Sequence, residues 1–198
     1  MNLNMIIMAA GNSSRFALEN KLLAEFHGKP LVYHILSAVR EAGELLAREG
    51  FLVKLILVSR YESVMNLGRE QGFYCVWSEE SKDGISYTIK NGIKACDGGA
   101  FIFFTADQPC LKGESIVRLI KETIASGLSA GRVSDGEREG NPVIFMEEYR
   151  EALIGLSGDM GGARLLKGKK YHVCQIEARE LCDADTREAF LELSKLSE

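Results

Sequence analysis

Met5-Ile6-Ile7-Met8-Ala9-Ala10-Gly11 is a continuous apolar run that stops at a glycine. A short run without polar alternation fits a strand buried on both faces, as at the centre of a parallel sheet. The strand expected over residues 4–9 is followed by similar runs at 53–58, 73–76 and Phe101–Thr105. Between them lie stretches with helical spacing. From Pro30, suited to a helix entry, Val32, Ile35, Leu36, Val39, Ala42, Gly43 and Leu46 share one face, and helices are expected at 61–70, near 85–95 and around Ile116–Ile124. This β-α alternation predicts an α/β fold, a mostly parallel sheet with helices on both faces, over residues 1–198 as one domain. The stretch 128–145 is less regular, punctuated by Gly131, Gly136 and Gly140, with a strand expected at Pro142–Phe145. Helices near 146–155 and 160–167, a strand near 171–176 and a final helix from about 186 complete the reading.

Composition narrows the function. A chain of 198 residues with 46% hydrophobic and 26% charged residues is an ordinary globular sequence. With 24 Lys+Arg against 28 Asp+Glu, the net charge of -4 argues against a general nucleic-acid or anionic-membrane binder. The five cysteines include no C-x-x-C pair, and His27, His34 and His172 form no H-x-x-x-H pair. Neither a disulfide framework nor a Cys- or His-based zinc site is therefore expected. The apolar runs are too short to span a bilayer and the first residues lack a secretory pattern, so a cytoplasmic protein is expected. Cys110 and Cys182 are read as core thiols.

Open parallel sheets bind ligands beyond the carboxyl ends of their strands, which directs attention to the loops after residues 9 and 105. Ala9-Ala10-Gly11-Asn12-Ser13-Ser14-Arg15, with Lys21 beyond it, is neither a P-loop nor a G-x-G-x-x-G fingerprint. Its small residues, hydroxyls and cations suit phosphate, and they equally suit a strand-to-helix loop capped by Ser13 or Ser14. Asp107, in Thr105-Ala106-Asp107-Gln108-Pro109, points either to Mg²⁺ held with substrate phosphates or to an Asp-x-Pro turn. Asp185, in Asp183-x-Asp185-Thr186, also begins Asp185-x-x-Glu188, which opens an apolar helix and is close to a capping box, and Asp159 has the same ambiguity as a helix N-cap.

The ordered set Ala9-Ala10-Gly11-x-Ser13-Ser14-Arg15, Asn20-Lys21-Leu22-Leu23, Gly28-Lys29-Pro30-Leu31, Gly84-Ile85-Ser86, Ala106-Asp107-Gln108-Pro109, Gly140-Asn141-Pro142-Val143-Ile144-Phe145, Gly158-Asp159-x-Gly161 and Asp183-x-Asp185-Thr186 resembles the MobA-like nucleotidyltransferases over nearly the whole chain. Within them it most resembles the molybdenum cofactor cytidylyltransferases. The resemblance implies a GT-A-like, Rossmann-like domain that transfers a nucleoside monophosphate from an NTP. It implies that Ala9, Ala10, Gly11 and Ser14 wrap the nucleotide, that Arg15 and Lys21 neutralise its phosphates, and that Asp107 and Asp185 hold Mg²⁺. Ser78, Gly84 and Ser86 are expected near ribose and base, and Asn141 and Asp159 toward the acceptor. Ala-Ala-Gly, where guanylyl-transferring relatives carry Ala-Gly-Gly, implies CTP. The methyl of Ala10 is one group, and one methyl discriminates by only about 1–3 kcal/mol. Phe16, Ala106, Asn141 and Arg187 depart from the family's usual residues, and none removes a charge that the chemistry requires.

The implied partners are CTP and the terminal phosphate of molybdopterin, with a recipient molybdoenzyme downstream. Guanylyl transfer, a sugar-phosphate acceptor, or a non-catalytic nucleotide- or pterin-binding module are the alternatives. A glycosyltransferase is disfavoured because Asp183-x-Asp185 stands near the C-terminus instead of after an internal strand.

Overall fold

The computed structural model describes residues 1–11, 20–184 and 187–195. The strands are β1 (Asn2–Ala9), β2 (Glu25–Phe26), β3 (Lys29–Pro30), β4 (Leu52–Ser59), β5 (Tyr74–Trp77), β6 (Ala100–Thr105), β7 (Ala130–Ser134), β8 (Glu139–Phe145) and β9 (His172–Gln175). The helices are α1 (Leu31–Arg48), α2 (Glu62–Glu70), α3 (Ile85–Lys94), α4 (Gly113–Ser126), α5 (Arg150–Ile154) and α6 (Arg187–Lys195). Seven strands form one sheet in the order β5-β4-β1-β6-β8-β7-β9, with β8 antiparallel to both its neighbours. The pairs β4–β5, β1–β4, β1–β6 and β7–β9 are parallel. β2 and β3 make a separate small hairpin.

β1 is central because both its faces are apolar. Leu3, Met5 and Ile7 pack under α1, α2 and α4, and Ile6 packs with Ile89 and Ile93 of α3 on the opposite face. The one polar side chain in this strand's interior, Asn4, is buried and satisfied, its Nδ2 donating to the carbonyls of Gly98 and Ala100. Helices thus cover both faces of a mostly parallel sheet, as the alternation predicts.

Three expectations are corrected. The irregular stretch after residue 128 contains a strand, β7, that the sequence pattern misses. Gly131 interrupts its apolar alternation, and a Cβ there would stand 2.1 Å from Thr123 Oγ1 of α4, so helix and strand approach too closely for any side chain. The helix expected at 146–155 divides into a 3-10 turn, Glu147–Tyr149, and the short α5. The helix expected at 160–167 is a 3-10 segment, Gly162–Leu166, whose N-cap is Gly161 without a side-chain cap, so Asp159 is not its N-cap. Three glycines within 158–162 raise the entropy cost of an α-helix there.

Candidate active site

The carboxyl ends of β1, β4, β5 and β6 meet at one edge of the sheet. Ala9 lies beside Ser59, Ser59 beside Trp77, and Met8 beside Thr105. The chain leaves β1 for β4 on one side and reaches β6 on the other, so the crevice where the strand order reverses opens here.

Lys21 and Asp107, 86 residues apart, meet at this crevice with Nζ 2.6 Å from Oδ2. Both side chains are largely shielded, at 13% and 17% exposure. Lys21 opens the 3-10 turn Lys21–Leu23, which Asn20 Oδ1 caps by accepting from the Leu22 amide, and buried Leu22 anchors the turn in the core. Asp107 stands in the turn immediately after β6. The amide of Ala184 donates to the Asp107 carbonyl at 2.9 Å, so the C-terminal segment reaches Asp107 one residue before Asp185. Asp185, like Ser14 and Arg15, lies outside the described residues, and Asp183 is exposed.

The sequence reading misses the residues that shape the first loop. Ser59 Oγ donates to the carbonyl of Ala9 at 2.9 Å, Arg60 Nε to that of Ala10 at 3.2 Å, and the Tyr61 hydroxyl to that of Gly11 at 2.9 Å. Arg60 also stacks on the Tyr61 ring and donates to its hydroxyl. In a regular strand successive carbonyls alternate in direction, whereas these three all turn to the end of β4. In a trans peptide the next N–H points opposite to the carbonyl, so the amides of Ala10 and Gly11 face away from β4 together, an arrangement that suits an anion. Ser59 ends a parallel strand and Arg60 and Tyr61 directly follow it, which is the available sequence signal. Tyr61→Phe removes one of the three bonds, and KM for the nucleotide is expected to rise about 3- to 10-fold with kcat nearly unchanged. Steady-state kinetics checks this, and an unchanged KM would detach Tyr61 from nucleotide binding.

Ser78 is fully buried, and its hydroxyl is engaged within the wall. It lies 2.5 Å from Ser81 Oγ and accepts from Asn91 Nδ2 at 2.8 Å, while its amide donates to the Ser59 carbonyl. Gly84 and Ser86 sit at the start of α3 against the 158–161 turn. The Ser86 amide donates to the Gly158 carbonyl at 3.1 Å, bringing two of the quoted motifs into contact. Gly84 has φ of +142°, and a Cβ there would stand 2.3 Å from the Gly158 carbonyl oxygen. Gly84→Ala is therefore expected to cost about 3 kcal/mol or more, lowering Tm by roughly 6–12 °C in a thermal melt.

Asn141 lies near the start of β8. Two residues beyond the last paired rung of β6 and β8, Phe103 with Val143, come Thr105 and Asn141. Buried Ser86 Oγ, Thr105 Oγ1 and Gln108 Oε1 have no hydrogen-bond partner among the described residues. Such orphans in a native fold call for a ligand or water. Cys110 and Cys182 are half-buried, with Cys182 Sγ donating to the Ala178 carbonyl. Burial pushes the Cys96 thiol up to about 12, far from a reactive range.

Among the described residues no group of three or more His, Cys, Asp or Glu side chains is placed to hold a metal. Asp107 nonetheless fits Mg²⁺. It is a hard oxygen donor already facing a cation, and Mg²⁺ characteristically takes one or two carboxylates plus phosphates and water. Among the described residues no helix is long and apolar enough to cross a membrane.

Similarity to known proteins identifies the family. The MobA-like NTP transferase domain matches residues 5–175. The probable molybdenum cofactor guanylyltransferase of Pyrococcus horikoshii is 30% identical over 206 residues, covering 98% of this chain and 96% of that protein. The molybdenum cofactor guanylyltransferase of Shewanella amazonensis is 24% identical over 153 residues, covering 74% and 69%. Among solved structures, Rv0371c of Mycobacterium tuberculosis superposes with a TM-score of 0.80 at 18% identity, covering 98% of this chain and 97% of that one, a likeness of fold. The chain is a nucleotidyltransferase, and it belongs to the MobA-like NTP transferase family.

Proposed function

We propose that this protein transfers the nucleoside monophosphate of an NTP to the terminal phosphate of molybdopterin, releasing pyrophosphate, with Mg²⁺ as the metal. The observation that carries this reading is the Lys21–Asp107 pair at the carboxyl end of β6, the strand next to β1, whose own end turns the Ala9 and Ala10 carbonyls to β4 and their partner amides away from it. The names of the two curated relatives support the acceptor.

A phosphate monoester with a second pKa near ~6 is largely a dianion at neutral pH, so the nucleophile needs no general base. The protein's task is to align two anions and stabilise spreading charge. In this reading Lys21 leaves Asp107 for the nucleotide phosphates, and with Arg15 it stabilises the departing pyrophosphate. Asp107 and Asp185 would hold Mg²⁺, which would supply Lewis-acid stabilisation of developing phosphate charge. Ala9, Ala10, Gly11 and Ser14 bind the nucleotide, and Gly84 and Ser86 flank ribose and base with Ser78 bracing the wall. Asn141 and Asp159 face the acceptor. The reaction is placed in the cytoplasm, ahead of delivery to a molybdoenzyme, within a single domain.

For the base, Ala10 favours CTP. A second reading, GTP, is favoured by both curated relatives being named guanylyltransferases. Purified protein with Mg²⁺, molybdopterin and equimolar CTP and GTP separates them. The mass of a molybdopterin cytosine dinucleotide is expected, the guanine dinucleotide would reassign the base, and pyrophosphate release only with a sugar phosphate would reassign the acceptor. Nucleotide binding without any product would indicate a non-catalytic module.

A further inference from the structure

Glu180 is a carboxylate buried to 2% exposure on the 3-10 turn Ala178–Leu181. Every bond it makes is a tie between two parts of the fold or within its own turn. Oε2 accepts from the Lys112 amide at 2.9 Å, and Oε1 from Ser115 Oγ at 3.0 Å and from the Glu177 amide at 3.4 Å. Lys112 is the N-cap of α4, and Glu180 accepts from its amide across 68 residues of sequence and from the hydroxyl of Ser115 in the helix's first turn. The position is electrostatically apt, because a helix N-terminus favours a negative charge, and a buried carboxylate persists only when so satisfied.

The two segments joined this way are the two that carry the proposed metal ligands. Lys112 lies five residues after Asp107, and Glu180 five residues before Asp185. The Ala184 amide closes the loop by donating to the Asp107 carbonyl. The outer ion pair, Lys112 Nζ to Glu177 Oε1 at 2.6 Å, is solvent-exposed and contributes little, which leaves Glu180 as the shielded fastening.

We propose that Glu180 is a positioning residue that sets the spacing of the Asp107 and Asp185 segments and thereby the affinity for the divalent metal. This rests on the reading of those two aspartates as metal ligands. Removing residues that orient metal ligands typically weakens metal affinity about 10- to 100-fold. In Glu180→Gln one oxygen becomes an amide that faces a donor, so the tie is weakened at nearly constant shape.

The test measures Mn²⁺ binding to the full-length protein from the electron paramagnetic resonance signal of free Mn²⁺, with thermal melts and Mg²⁺-dependent turnover alongside. For Glu180→Gln the Mn²⁺ Kd is expected to rise about tenfold, with turnover restored toward the unmodified protein's at high Mg²⁺. A lowered Tm with unchanged Mn²⁺ affinity would overturn the proposal and leave Glu180 a structural tie. Asp107→Asn separates the two ideas. If it leaves Mn²⁺ affinity unchanged, the metal reading fails, whereas if it abolishes binding and Glu180→Gln does not weaken it, only the role of Glu180 fails. Should Glu180→Gln not fold, Ser115→Ala removes one bond to the same carboxylate and must raise the Mn²⁺ Kd in the same direction, and no change would overturn the proposal.

Discussion

Replacing Asp107 by Asn is expected to lower turnover by about 10³-fold while leaving the fold intact. The large effect follows from chemistry. Asn is isosteric but supplies no negative charge to a metal and no counter-charge to Lys21. The small structural effect follows from position. Asn keeps an oxygen that can accept from Lys21 Nζ, and the bond that anchors Ala184 uses the backbone carbonyl, which Asn retains. Pyrophosphate release gives the rate, and a thermal melt within about 2–4 °C of the unmodified protein corresponds to a change near 1 kcal/mol. Normal turnover in this variant would remove Asp107 from the mechanism.

Lys21→Met separates two roles that the ion pair holds together. With Nζ 2.6 Å from Asp107 Oδ2, the ammonium stands where a metal must compete for the same carboxylate. Loss of the ammonium is expected to cut turnover by about 10²- to 10³-fold, because the phosphates lose one of their two proposed cations. It is also expected to tighten Mn²⁺ binding to the nucleotide-free protein several-fold, since a like-charged competitor for the carboxylate is gone. The two effects have opposite signs, which simple damage to the site does not produce. Weaker or unchanged Mn²⁺ binding in this variant would show that Lys21 and the metal do not share Asp107.

How far the sequence was legible depended on whether a residue acts through its own pattern or through another's backbone. β1, β4 and β6 were readable because their buried residues form short, nearly continuous apolar runs, broken in β1 by Asn4 and in β4 by Lys54. β7 was not, because Gly131 is dictated by the approach of α4, a tertiary fact that interrupts the local alternation. Lys21 and Asp107 were readable because charges after parallel strands stand out, and the fold brings them within one ion pair. Ser59, Arg60 and Tyr61 were not, because they act by orienting the carbonyls of Ala9, Ala10 and Gly11, and no spacing announces that. Ser78 shows the reverse case. The family resemblance singles out its position, yet the hydroxyl turns inward to Ser81 and Asn91 and braces the wall. Asp185 was flagged by its motif and lies outside the described residues, so its partnership with Asp107 rests on Ala184 reaching that carbonyl.

A crystal structure of the protein with Mn²⁺ and a non-hydrolysable nucleoside triphosphate tests the central claim most directly. The account predicts an anomalous Mn²⁺ peak bound by Asp107 and Asp185 and by an α-phosphate oxygen, with Lys21 Nζ moved from Asp107 onto the phosphates. A nucleotide bound elsewhere, or Mn²⁺ absent from Asp107 with the Lys21–Asp107 pair still closed, would contradict it.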